Sequence, residues 1–370
     1  MSPAAESWQD PKRRLWLLGT LVPPCVPLAG YGLYLASGHG AWLWAQPLFI
    51  HLVLPLLDWL IGADTGNPPE DAVRQLEDDV YYRTIVALYV PLHYGVFLWG
   101  LWLLATADLA LADQIGLALS LGAVGGIGIN AAHELGHKHP VWERWLAKIA
   151  LAPVAYGHFC VEHNRGHHAN VATPQDPASA RHGEGFWRFL PRTMLGSVRS
   201  AWAIEARTLA RRGHGPWHWH NQNLQAWSLT LLLWSACLAW LGPDILPLLL
   251  LQAVYGISLL EVVNYVEHYG LLRGRLDDGQ FERCRPEHSW NSNHVVTNLM
   301  LFNLQRHSDH HAHPTRRYQA LRHFPEAPQL PSGYASMITL AYVPPLWFAV
   351  MDPRLSAHYG GNLSLANRMP

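Results

Sequence analysis

Apolar residues in this chain gather into six long stretches, at roughly 15–36, 40–61, 84–106, 113–131, 224–242 and 244–262, and none of these contains Lys or Arg. A helix crossing the hydrocarbon core of a bilayer needs about 20 apolar residues. The pattern therefore predicts an all-α integral membrane protein with about six transmembrane helices. Basic residues fill the gaps one-sidedly. Lys12, Arg13 and Arg14 precede the first stretch, Arg74 and Arg83 lie between the second and third, and the others fall in 132–223 or after 262. The links at 37–39, 107–112 and 243 carry none. The positive-inside rule then puts both termini and the two long polar regions in the cytoplasm. The first stretch is a poor secretion signal: it is too long, it contains Pro23, Pro24 and Pro27, and no small-residue cleavage site follows. Residues 15–61 read instead as a hairpin of two spanning helices, the first one bent.

Between the spans, a helix-compatible run extends from Ala131 to Leu151 and a second segment from His158 to Val171. Thr173-Pro174-Gln175-Asp176-Pro177 breaks the helix. Phe186 to Leu209 predicts an amphipathic helix along the membrane surface, with Arg188, Arg192, Arg199 and Arg207 on its polar side. The region 263–370 ends in a Pro-rich, partly extended segment. No repeat or low-complexity tail separates these parts, so residues 1–370 read as a single unit with cytoplasmic helical regions at 132–223 and 263–370.

Composition narrows the classes. Of 370 residues, 14% are charged and the net charge is −1, well below the quarter or so of charged residues usual in soluble domains. Nothing in this balance suggests nucleic acid. The four cysteines, Cys25, Cys160, Cys237 and Cys284, are far apart, which excludes a zinc ribbon, a rubredoxin or a disulfide framework in this chain.

Histidine carries the chemistry. The polar regions hold His133-Glu134-Leu135-Gly136-His137, then His163-Asn164-Arg165-Gly166-His167-His168, then His307-Ser308-Asp309-His310-His311. Residues three or four apart share a helix face, so each cluster can aim rings at one point, and nitrogen-rich donor sets suit iron, zinc, copper or nickel. A fourth element, Asn264-Tyr265-Val266-Glu267-His268, closes the last span, and its helical spacing puts Glu261, Asn264 and His268 on one face. Ionisable groups at such a place default to function. Nine candidate metal ligands result: His133, His137, His163, His167, His168, His268, His307, His310 and His311. Glu134, Glu162, Glu267 and Asp309 sit next to them, and with Asn264 they suit outer positions that orient ligand rings; Asn130, one turn before Glu134, could act similarly. His51 and His93 lie within spans and read as packing residues. His139, His158, His288, His294, His313 and His323 lie off the spacing. H-E-x-x-H also occurs in zinc proteases, but one zinc needs three protein ligands and would leave the other clusters unexplained. In a transporter the metal site would lie nearer the bilayer midplane.

Three histidine boxes on a polytopic membrane protein resemble the membrane fatty-acid desaturase and hydroxylase superfamily. The wording of the boxes from His133 to Lys138, from Glu162 to His168 and from Leu304 to Pro314, together with Asn264 to Gly270, resembles the bacterial integral-membrane alkane 1-monooxygenases, and the likeness runs from Asn67 to Pro353. The resemblance implies a non-haem di-iron enzyme of the bacterial inner membrane. It would place a hydroxyl on the terminal carbon of a medium-chain n-alkane, using O2 and two electrons. The nine histidines would hold two Fe ions. Electrons would come from rubredoxin, supplied from NADH or NADPH by rubredoxin reductase; rubredoxin would be separate or fused beyond this sequence. Arg165, Lys138 and Arg306 are candidates for attracting that acidic partner. An alkane offers no polar handle, so an apolar channel into the helix bundle is expected. Its candidate walls are Ile50, Leu54 and Trp59 on the second span, Ile127 and Ile129 on the fourth, and Leu259 and Val263 on the sixth. A fatty-acyl desaturase or hydroxylase and a xylene-type methyl hydroxylase are the alternatives that share the boxes.

Overall fold

The computed structural model describes residues 8–369. Met1 and Pro370, the termini that the charge pattern puts in the cytoplasm, lie outside the described residues. Among the described residues regular structure is helical, and backbone pairing is limited to isolated bridges such as Asn291 with Gln329. Helices α1 (Leu17–Ser37) and α2 (Gly40–Ile61) form the first hairpin. A short amphipathic helix, α3 (Glu70–Asp78), precedes α4 (Val80–Thr106) and α5 (Leu111–Gly136). Next come α6 (Val141–Leu151), α7 (residues 159–170) and α8 (Phe186–Ala210). Two more long helices follow, α9 (Gln222–Leu241) and α10 (Pro243–His268). Shorter helices complete the chain: α11 (Val295–Met300), α12 (His307–Ala312), α13 (Tyr334–Ala341) and α14 (Pro344–His358). Helices α1, α2, α4, α5, α9 and α10 are the six long and apolar enough to cross a membrane, which matches the hydropathy pattern.

Helix α5 is the central rod and packs along α10. Small residues make the approach close. A Cβ built on Gly122 would lie 2.4 Å from the carbonyl oxygen of Gln252, and one on Gly256 would lie 2.8 Å from that of Gly122. Where lipid removes the hydrophobic drive for helix association, backbone contact of this kind supplies the packing energy. The outer helices turn apolar side chains outward instead: Leu52, Leu56 and Leu60 on α2, and Leu231, Leu232 and Trp240 on α9 are exposed.

Three boundaries differ from the sequence reading. The fourth span continues to Gly136 rather than ending near 131, and the sixth continues to His268 rather than 262. The first histidine box and His268 therefore ride on the same rigid helices as the two central spans. The run from Ala131 to Leu151 is two helices, not one, broken at 137–140. Pro140 has no N–H to donate and disfavours helix in the residue before it; it sits at the N-cap of α6. The amphipathic segment does form one helix, and its inner face buries Phe186, Phe189, Thr193, Ser197 and Ala201.

Candidate metal centre

The nine histidines marked in the sequence fall into two adjoining groups. His133, His137, His163, His168 and His310 form one, and His167, His268, His307 and His311 form the other; within each, the donor atoms all lie within 4.8 Å of one another. In the first group His133 Nε2 is 2.9 Å from His310 Nε2, and His168 Nε2 is 3.0 Å from His310 Nε2 and 3.1 Å from His163 Nε2. In the second, His307 Nε2 is 3.2 Å from His268 Nε2 and 2.9 Å from His311 Nε2. A metal bonded to each nitrogen at about 2.0–2.1 Å imposes nitrogen separations of about 3.0–3.4 Å. The rings already stand close to that spacing.

Local helix geometry explains the division. On α5, His133 and His137 are four apart and serve one group. On α12, His307 and His311 are four apart and share the second group, while His310 faces the first. Helix α7 departs from this rule. Residues 163–167 form a π turn, and the wider turn aligns His163 with His168, five residues on, and sends His167 to the other side. The expectation that each cluster converges on one point is thus corrected for the second and third: each contributes to both groups. Backbone strain brackets the site. Ala172, Phe302 and Asn303 all have positive φ, at 54°, 51° and 55°, and such conformations cluster at functional sites.

Several ring nitrogens turned inward have no partner, among them His137 Nε2 and His167 Nε2. Buried polar atoms are normally satisfied, and a bound cation would satisfy these. Burial first, then the neighbouring imidazoles, hold His163, His168, His307, His310 and His311 well below the ordinary histidine range. Neutral rings with free lone pairs result, which is the state a metal ligand must have. An all-imidazole set fits iron, and transition metals generally, better than magnesium or calcium.

The carboxylates are distributed differently from the sequence reading. Glu267 Oε1 lies 3.1 Å from His307 Nδ1, near the ring but not aligned for a hydrogen bond. Glu134 instead pairs with Lys138 at 3.0 Å and accepts from the Tyr318 amide. Asp309 accepts two bonds from Arg316 at 2.8 Å and a third from the Arg322 amide, fixing α12 rather than a ligand ring. Glu162 is buried against Ser200 with one oxygen unpartnered; burial, then the Asp176 and Glu261 carboxylates, push its carboxyl well above the usual range. Asn264 donates to Glu261, which also accepts from Tyr156 and Thr193. Asn130 donates to the Leu301 carbonyl. Sequence reasoning missed Asp176. It sits in the segment read only as a helix breaker, yet its Oδ2 is 2.9 Å from His167 Nδ1 and accepts from Ser179 at 2.6 Å. Burial alone would raise its carboxyl, but the His167 ring and the Ser179 hydroxyl outweigh that and hold it below the usual range. A carboxylate following a histidine box by fewer than ten residues was the available signal.

An apolar pocket runs between the spans toward this centre. Ile50, Leu54, Ile127, Leu259 and Val263 line it, with Phe49, Met300 and Ile338; Asn130 and Thr297 are its polar lining residues, and Asn130 is one helical turn from His133. Two expected wall residues are elsewhere. Trp59 is 76% exposed, on the outer face of α2, and Ile129 is buried in the packing of α5 away from the pocket. Ile50 and Leu54, four apart, share the inward face of α2, and Trp59, nine residues after Ile50, falls on the opposite face. The basic residues expected to attract a partner are also committed elsewhere. Arg306 is buried and donates to the carbonyls of Asp64, Gly66 and Leu321, Lys138 pairs with Glu134, and Arg165 pairs with Glu205.

Comparison with known proteins agrees with this geometry. The fatty acid desaturase family model matches residues 114–341, a range that contains all nine histidines. The alkane 1-monooxygenase of Acinetobacter baylyi is 45% identical over 98% of this chain and 89% of its own length. That of Ectopseudomonas oleovorans is 46% identical over 98% of this chain and 90% of its own. The hydroxylase component of a Pseudomonas putida xylene/toluene monooxygenase is more distant, 27% identical over 90% of this chain and 87% of its own. A multi-pass helical protein with two buried groups of histidines and an apolar pocket between its spans, and with this similarity over nearly its whole length, belongs to the alkane 1-monooxygenase family.

Proposed function

We propose that this protein hydroxylates the terminal carbon of medium-chain n-alkanes, at a centre of two irons, with O2 and electrons delivered by rubredoxin from an NADH- or NADPH-dependent reductase. The observation that carries the reading is the pairing of two all-histidine groups with an apolar pocket whose lining includes Asn130, one helical turn from His133. His133, His137, His163, His168 and His310 would hold one iron, and His167, His268, His307 and His311 the other. Bound iron would supply O2 activation, chemistry that protein side chains lack.

The chain's own residues do the rest. Asp176 orients His167 and keeps that ring ready to ligate. Ile50, Leu54, Ile127, Leu259 and Val263 hold a substrate that only shape and apolar contact can select. A narrow wall admits an alkyl chain end-on, which presents the methyl group first. Asn130 and Thr297 are the polar lining of the path, and the dry walls exclude water from it. The basic residues flank the spans at the histidine end, which supports a cytoplasmic centre in the bacterial inner membrane, where rubredoxin and its reductase would reach it.

The test is metal content together with turnover of octane, with rubredoxin, reductase, NADH and O2 supplied. Two irons per chain and 1-octanol as product are expected. Iron without alkanol would move the substrate toward acyl chains or methylarenes. Zinc without oxygenation would overturn the reading.

A further inference from the structure

A third histidine group stands apart from the two at the centre. His214, His218 and His220 occupy the turn between α8 and α9, and their donor atoms lie within 4.8 Å of one another. The pattern H-x-x-x-H-x-H fits no helix face, since the segment is not helical; the turn itself brings the rings together. His214 and His218 stack with ring centroids 3.9 Å apart and planes 11° apart, and the His218 and His220 rings are 4.7 Å apart. Three imidazoles in one short solvent-facing loop would separate if nothing held them, because each would rather be hydrated independently.

The loop is held. The chain leaves α8 through Gly213, whose φ of 77° is open to glycine at no steric cost. The His214 amide donates to the Leu209 carbonyl at 2.9 Å, and the Asn221 amide to the His218 carbonyl at 2.9 Å. The Asn221 side chain donates to the Pro216 carbonyl at 2.8 Å. Trp217, between the histidines, packs edge-on against Trp202 of α8 at 5.0 Å. The backbone that carries the three rings is therefore set before any ligand arrives, and His218 Nδ1 accepts from the His220 amide at 3.2 Å, which lowers the ordering entropy of binding.

We infer that His214, His218 and His220 form a separate binding site for a divalent transition-metal ion, with zinc the natural occupant. Three imidazoles with one position left for water is a donor set zinc accepts, and copper and nickel share the preference for imidazole. The site is independent of the proposed iron centre, with which it shares no residue. One physical link joins them. Glu205 of α8 pairs with Arg165 inside the second histidine box and accepts from the Gln222 amide, two residues after His220. An ion closing the turn would stiffen the α8–α9 junction at that point.

The test uses the iron-loaded full chain in detergent, purified without a histidine tag and dialysed to equilibrium against zinc, with iron and zinc measured in the same sample. One zinc per chain beyond an unchanged iron content is expected. His214→Ala, His218→Ala and His220→Ala should each weaken zinc binding at least about tenfold. The triple variant should lose the extra zinc while keeping its iron and its octane turnover. Cobalt in place of zinc should give the visible absorption of a tetrahedral site, absent in the triple variant. Zinc that only replaces iron, no zinc beyond iron, or uptake unchanged in the triple variant would each overturn the proposal.

Discussion

At the scale of single residues, Asp176 is the clearest test of how the centre is built. Its carboxylate is the partner of His167 Nδ1, and partners of this kind typically change metal affinity about 10–100-fold. Asp176→Ala should therefore weaken iron binding by that order, with the deficit confined to one iron per chain, since the contact serves only the group that contains His167. Loss of both irons, or of neither, would contradict the division into two groups. Ile50 tests the pocket in the same way. It is largely buried on the pocket wall, so Ile50→Ala should lengthen the alkanes accepted and Ile50→Trp should shorten them. Trp59→Ala, on the outer face of the same helix, should leave the product profile unchanged. An identical chain-length profile for wild type and both Ile50 variants would remove that side chain from the path.

At the scale of elements, the sequence was informative about periodicity and silent about register. Six apolar runs without Lys or Arg are legible because the bilayer imposes length and composition directly, and all six appear as helices. The nine clustered histidines are legible because ligand spacing follows helical spacing. What could not be read was which ring joins which group. That depends on the π turn at residues 163–167, a one-residue widening with no reliable sequence signature. Trp59 lies off the pocket for a plainer reason: Ile50 and Leu54, four apart, share a helix face, while Trp59, nine residues after Ile50, falls on the opposite one. Asp176 was missed for a third reason: its partner, His167, is reached only after the chain has turned back on itself. The register argument predicts a strong effect from a small change. Inserting one alanine after Asn164 would put His163 six residues from His168, a spacing that neither an α turn nor a π turn aligns. Both irons should then bind poorly, whereas Asn164→Ala, which keeps the count, should bind them nearly as wild type. Membrane insertion and the far-ultraviolet helical signal should be intact in both, because the α5–α10 contact does not involve this segment. Full iron in the insertion variant would mean that the turn does not set the groups.

At the scale of the whole molecule, the cap and the spans meet at a buried cluster of neutral rings, and that ties folding to pH. His163, His168, His307, His310 and His311 lie outside the spans, and burial holds each well below 6.5. Unfolded, each would take up a proton near pH 6.5, so below that value the unfolded chain binds more protons than the folded one. Stability then rises with pH and is lost as pH falls below about 6.5. Asp176, held low, adds to the loss at more acidic pH. Glu162 acts in the opposite sense: raised well above 4.5, it favours the fold below that range and withdraws its support as pH rises. Outside the spans Glu162 stands against these five histidines, so there the histidines decide the slope between about pH 4.5 and 6.5. Metal steepens it, because protons compete with the ion for the same nitrogens. Melting temperatures of the iron-loaded and chelator-stripped protein in detergent, taken at about pH 7.5 and 5.5, should both fall on acidification, and the iron-loaded form should fall further while releasing iron. A stripped protein as stable at the lower pH would mean that the rings take up protons within the fold, which would overturn burial of neutral rings as the cause of the slope.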